Sequence, residues 1–354
     1  MPAIAVKSSR RRPVLIAALC MLFFTASSPI ATSLLPDTNV GARLGTTFSP
    51  YEAEARGLDY QEAFERVLAA PRMNVIRIGS YWSEVEANGW ERLDWLVEQA
   101  VANDKQIVLT VGIKSPRWPE YWMPERLGID EAPDWSRLDE IAPWLRAEAL
   151  DFITEAVMRY RNTPGLLAWQ VENEPLDPSG QHMWSLSDDL LAAEVEIVRI
   201  LDPERPIALT FYMPISMQCD LAHLSDCAML FASLFPRSGD RLLDLLRPGD
   251  ILGVDIYTSI GSAYSNGGWE RDLRDWQNKA REDGVELWVT EAQAEPWPTA
   301  TSGVRNSQIV TADRSVNLMR TLSAAGVQTI LLWGSEHWLA SEEQNPDWVR
   351  NFLQ

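Results

Sequence analysis

Two short stretches hold the residues best suited to chemistry. In AWQVENEP, residues 168–175, an apolar run leads into Glu172, Asn173 and Glu174 and stops at Pro175. In LWVTEAQAEPW, residues 287–297, a second apolar run leads into Glu291, followed by Gln293 and Glu295. Burying an unpaired carboxylate is expensive. A strand therefore ends on one either where it breaks into solvent or where a carboxylate is needed. Two carboxylates brought to one bond can serve as acid/base and nucleophile, the equipment for splitting a glycosidic linkage.

Other chemistries find less support. There is no G-x-S-x-G elbow and no phosphate-binding G-x-x-x-x-G-K-[ST] loop. The three histidines, His182, His223 and His337, are not spaced as metal ligands. Nothing in the sequence calls for a metal or a cofactor.

The elements that must position these residues follow a repeated rhythm. Short, β-branched apolar runs predict strands at 42–49, 75–82, 106–113, 166–174, 206–213, 251–258, 286–291 and 329–333. Segments with apolar residues at three- and four-residue spacing lie between them and predict helices. A chain of alternating strands and helices without a composition break describes one (β/α)8 TIM barrel, the catalytic domain expected over residues 37–354. A doubly wound open sheet would normally show a glycine-rich turn after its first strand, and RLGTTFSPYEAEARGLD has none.

Barrel active sites lie at the C-terminal ends of the strands. The predicted ends collect carboxylates, amides and aromatics, suited to a neutral polyhydroxylated ligand. The second strand carries Arg77 and ends near Tyr81 and Trp82; the third leads to Lys114, Arg117 and Trp118. The sixth ends on Asp255 and Tyr257, the seventh on Glu291 with Gln293 and Glu295 beyond, and the eighth on Trp333, then Glu336 and His337. Strand alternation places Glu172 and Glu174 on one side and Asn173 on the other, unless a bulge intervenes. Trp118 and Trp122 are open to either reading, loop packing or ligand platform.

WQVENEP resembles the Asn-Glu-Pro signature of clan A glycoside hydrolases, the superfamily of family-five cellulases and family-forty-two β-galactosidases. LWVTEAQAEPW is similar to the clan's seventh strand, NVIRIGSYWSEVE to its arginine-bearing second strand and ILLWGSEHW to its tryptophan-bearing eighth. The resemblance implies that Glu174 is the general acid/base and Glu291 the nucleophile of a retaining enzyme. It implies that Asn173 bonds the sugar 2-hydroxyl, that Arg77 and Tyr257 serve the nucleophile, and that Trp333 floors the subsite of the attacked sugar. Trp82, Trp118, Gln293 and His337 are further candidates for substrate contact. Glu295 is the rival nucleophile. The chain departs from family-five practice in two places: no His-rich motif follows the third strand, and Asp255 stands where a His usually precedes Tyr257 by two residues. The expected activity is hydrolysis of β-linked neutral oligo- or polysaccharide. The alternatives are a transglycosidase using the same site and a carbohydrate-binding barrel without catalysis.

Bulk properties agree. The chain has 354 residues and a formal net charge of −19, and residues 1–33 contribute only basic side chains, Lys7, Arg10, Arg11 and Arg12. So acidic a remainder disfavours nucleic acid and anionic membranes as partners. Sixteen tryptophans offer apolar platforms for sugar rings as well as core. Residues 1–33 read as a secretory signal, a basic start followed by the apolar run 14–26; an uncleaved anchor is the other reading, and secretion is the expected location. In an oxidising compartment Cys219 and Cys227 make a plausible local disulfide. A monomer is expected.

Overall fold

The computed structural model describes residues 42–129, 131–213, 238–257, 268–296 and 310–354. The signal segment, Cys219 and Cys227 lie outside them. Eight parallel strands close in sequence order: β1 Arg43–Phe48, β2 Val75–Gly79, β3 Gln106–Val111, β4 Leu166–Val171, β5 Ile207–Tyr212, β6 Ile251–Ile256, β7 Glu286–Gln293 and β8 Thr329–Trp333. β8 pairs back onto β1, with Gly45 opposite Leu331. The fold is the expected (β/α)8 barrel.

Twelve α-helices are described: α1 Pro50–Ala55, α2 Tyr60–Leu68, α3 Trp82–Asn88, α4 Glu91–Ala102, α5 Leu138–Ile141, α6 Leu145–Tyr160, α7 Asp188–Leu201, α8 Ser238–Leu243, α9 Gly268–Glu282, α10 Ala312–Ala324, α11 Ser335–Ala340 and α12 Asp347–Phe352. Among the described residues no helix is long and apolar enough to cross a membrane. Caps start the helices where polar residues satisfy free backbone N–H groups. The Ser187 hydroxyl accepts from Leu190 N at 3.1 Å to open α7, and Asp59 accepts from Gln61 and Glu62 N to open α2.

Strand alternation divides the apolar residues between two layers. One set, including Ile76, Leu109, Val254 and Leu332, packs against the helices. The other, Val75, Val108, Ala168, Ala208, Ile251, Trp288 and Leu331, forms a separate cluster inside the barrel. At the strand starts Arg43 lies 4.9 Å over the Trp288 ring and pairs with Glu286 at 3.3 Å. Gly45 leaves no room for a methyl group: a Cβ there would sit 2.2 Å from the Val75 carbonyl oxygen. Above this apolar floor the interior turns polar, with Thr47, Arg77, Gln170, Thr210 and Thr290 all buried.

Several strand ends differ from expectation. β4 stops at Val171, so Glu172–Glu174 lie beyond it, whereas β7 runs on to Gln293. β2 stops at Gly79 and Trp82 opens α3.

Candidate active site

The site grows out of the polar layer. Arg77, on β2, is fully buried and cannot be left uncompensated. Its guanidinium donates to Thr47 Oγ1 at 2.8 Å, Gln170 Oε1 at 3.2 Å and Glu291 Oε1 at 2.6 Å. Gln170 passes the network on, donating to Asn173 Oδ1 at 3.1 Å and to the Glu172 carbonyl at 3.0 Å. The Tyr257 hydroxyl donates to the other Glu291 oxygen. Glu291 therefore holds a cationic donor on one oxygen and a phenol on the other.

Beyond β4 the chain leaves strand geometry. Glu172 has φ +62° and Glu174 φ +45°, left-handed values that cost a non-glycine residue about 1–3 kcal/mol each. The two side chains consequently part instead of sharing a side, which corrects the simple alternation. Glu172 turns back and accepts from Ile113 N at 2.7 Å and Lys114 N at 2.6 Å. Only glycine fits beside it: at Gly112, φ +125°, a Cβ would sit 2.1 Å from the Glu172 carboxylate. Glu174 turns into the barrel mouth. Its backbone N donates to Thr210 Oγ1 at 2.9 Å, and its carbonyl accepts from Lys114 Nζ at 2.7 Å. Lys114, fully buried, also binds the Asp177 carbonyl at 3.0 Å, so it ties down the turn.

One carboxylate oxygen each from Glu174, Asp255 and Glu291 lie within 4.8 Å of one another. Burial, then the negative charges of Asp255 and Glu291, push the Glu174 carboxyl well above the usual carboxylate range. Burial, then Glu291, does the same to Asp255, and burial, then Glu291, raises the Tyr257 phenol. Among the described residues this is the one cluster of three side chains with metal-ligand chemistry, and two of its oxygens already serve Arg77 and Tyr257. The arrangement can protonate a leaving group from one side and attack from the other.

Asn173 (3 % exposed), Arg77 and Tyr257 therefore converge on the two glutamates as a group. Trp333, at the end of β8, is half-buried, with the Arg117 guanidinium 3.9 Å and the Arg77 guanidinium 5.7 Å from its ring centre. Glu295 faces another network: Arg117 donates to it at 2.5 Å and Arg56 at 3.2 Å, and Arg117 also pairs with Glu336. Gln293 is buried and donates to the Glu295 carbonyl at 3.2 Å. His337 is half-buried behind the same layer, 3.4 Å from Arg56 and edge-on to Trp348; burial lowers its pKa. Trp118 is exposed on its loop.

Trp82 stands apart. It is 3 % exposed and stacks on Phe152 with ring centres 5.3 Å apart, in an apolar cluster with Ile113, Leu145 and Leu190. The sequence reading passed over Gln170, Thr290 and the pairing of Asp255 with Glu174. A polar residue inside an otherwise apolar strand was the available signal for Gln170.

The sequence matches no protein-family model and no curated protein. The fold is similar to solved structures. A β-galactosidase of Rahnella sp. R3 superposes with TM-score 0.54 at 13% identity, over 86% of this chain and 51% of that one. The protein GH5_18 of Streptomyces cattleya, solved with GlcNAc, gives TM-score 0.57 at 12% identity, over 83% of this chain and 70% of that one. A β-galactosidase of the psychrophilic Marinomonas ef1 gives 0.52 at 15% identity, over 82% and 53%. The chain spans about half the length of these β-galactosidases. These neighbours belong to the glycoside hydrolase superfamily that the sequence resembles. At such identities the likeness shows the fold, a barrel that glycoside hydrolases use.

Proposed function

We propose that the chain is a retaining glycoside hydrolase for a β-linked neutral glycan, exported through its N-terminal segment. The observation that carries the reading is the meeting of Glu174 and Glu291, with oxygens within 4.8 Å, in unlike electrostatic settings. Retaining enzymes hold their carboxyls about 5–5.5 Å apart, whereas inverting ones need roughly 6.5–9.5 Å to admit a water. Arg77 and Tyr257 donate to Glu291 and aim it; burial and like charge keep Glu174 protonated.

The chemistry follows. A Glu291 oxygen bonds to the anomeric carbon as the glycosidic C–O bond breaks, and Glu174 gives its proton to the departing oxygen. Glu174, now a carboxylate, takes a proton from water, whose oxygen displaces Glu291 from the sugar. Asn173, fixed through Gln170, is placed to bond a sugar hydroxyl beside this centre. A catalytically dead sugar-binding barrel has no use for so costly a set of buried carboxylates. A panel of aryl β-glycosides identifies the sugar, and the matching 2-deoxy-2-fluoro glycoside should then label Glu291, read by peptide mapping. Labelling of Glu295 would refute the assignment.

A further inference from the structure

Asp255 has no part in a two-carboxylate mechanism, yet it sits against both carboxylates. β6 aligns it with Glu291 on β7 and with Tyr212 on β5. It is fully buried, and its Oδ1 accepts from the Thr290 hydroxyl at 2.6 Å. Its Oδ2 is buried without a donor, as is Oε1 of Glu174. A carboxylate oxygen of Asp255 lies within 4.8 Å of one of Glu174.

Among the described residues no Lys, Arg or His forms an ion pair with either group. Lys114 spends its ammonium on the Glu174 and Asp177 carbonyls, and Arg77 spans Thr47, Gln170 and Glu291. The charged and titratable groups facing Glu174 are Asp255, Glu291, Lys114, Asp177, Tyr121, Tyr212 and Tyr257; those facing Asp255 are Glu174, Glu291, Arg77 and Tyr257. Two buried carboxyls this close, without a paired cation, cannot both ionise cheaply. A single proton between them supplies the donor that both orphan oxygens lack.

We propose that Asp255 is a positioning residue that shares one proton with Glu174, keeping the general acid loaded while Glu291 is ionised. This rests on the reading of Glu174 as general acid. When Glu174 passes that proton to the leaving oxygen and Glu291 becomes an ester, the pair is left doubly anionic. The attacking water then returns one proton to the pair as its oxygen bonds to the anomeric carbon and Glu291 departs as carboxylate.

Two readouts test it. Asp255→Asn preserves volume and an acceptor for Thr290 but removes the charge, so Glu174 should release its proton at lower pH. The alkaline limb of kcat/KM should move toward acid by about one pH unit or more, with the acid limb unmoved. Thr290→Val removes the donor that favours ionised Asp255, so its alkaline limb should move the opposite way. Uniform loss at every pH in Asp255→Asn, without a moved limb, would overturn the proposal in an active enzyme. Infrared difference spectra read the proton without turnover. The C=O band of the shared proton should be lost at lower pH in Asp255→Asn than in the unmutated chain, against an unchanged background from other buried carboxyls. A band that titrates at the same pH in both proteins contradicts the shared proton. A band that moves as expected, in a protein that cleaves no glycoside, would leave the pair standing and sink the glycosidase reading instead.

Discussion

At the scale of single residues, what separates Glu174 from Glu291 is company. Both are glutamates near the C-terminal end of a strand, but Glu291 touches a guanidinium and a phenol, whereas an oxygen of Glu174 lies within 4.8 Å of the Asp255 carboxyl. Loss of Glu174 should therefore hurt substrates that need the proton. Glu174→Ala should slow glycosides with poor leaving groups by about 100-fold or more, and should slow the glycosylation step of a dinitrophenyl glycoside far less. Equal losses for both in single-turnover kinetics would remove Glu174 from the acid role. Five of the residues singled out by type and position, Arg77, Asn173, Glu174, Tyr257 and Glu291, do meet. Trp82 does not, because β2 ends early and the residue turns under α3 into the core. Nor was the parting of Glu172 and Glu174 legible: glutamate is not a residue that announces a left-handed backbone.

At the scale of elements, the strands were legible because β-branched runs bounded by polar residues have one period. The helices α1, α3 and α11, of six or seven residues, were not, being too short to display a helical period. The contact between α7 and the end of β4 hides a second acid pair. Glu194 of α7 is fully buried against Glu172, and neither of its oxygens has another donor. Burial raises Glu172 to about 7 against the pull of two backbone N–H donors, and burial and the neighbouring Glu172 raise Glu194. Groups whose folded pKa is raised stabilise fully below their unfolded pKa, and that contribution is lost as pH rises through the folded value. Stability should thus fall from about pH 5 upward through about pH 7. Glu194→Gln keeps a donor toward Glu172 without a proton to lose. Its Tm at about pH 8 should exceed that of the unmutated chain, by roughly 2–4 °C for each kcal/mol relieved. Parallel melting curves for the two proteins across the whole range would contradict the pair.

At the scale of the whole molecule, closure of the barrel brings together residues 117 positions apart. Nothing local in either stretch sets the distance between Glu174 and Glu291; the ring of eight strands does. That ring is tight where β1 meets its neighbours. Gly45→Ala would push a methyl group into the Val75 carbonyl and Leu331, and should cost about 1–3 kcal/mol or more by urea unfolding. A cost near zero would mean that the strands can shift apart, and with them the carboxylates. The close approach of Glu174 and Glu291 leads to one stereochemical outcome, because two carboxyls so near each other leave no place for a water on the far side of the sugar. Proton NMR of the first product formed from a cleaved aryl β-glycoside, recorded before mutarotation, reads that outcome directly. The β-anomer appearing first is the result expected of double displacement through Glu291; the α-anomer appearing first would contradict it.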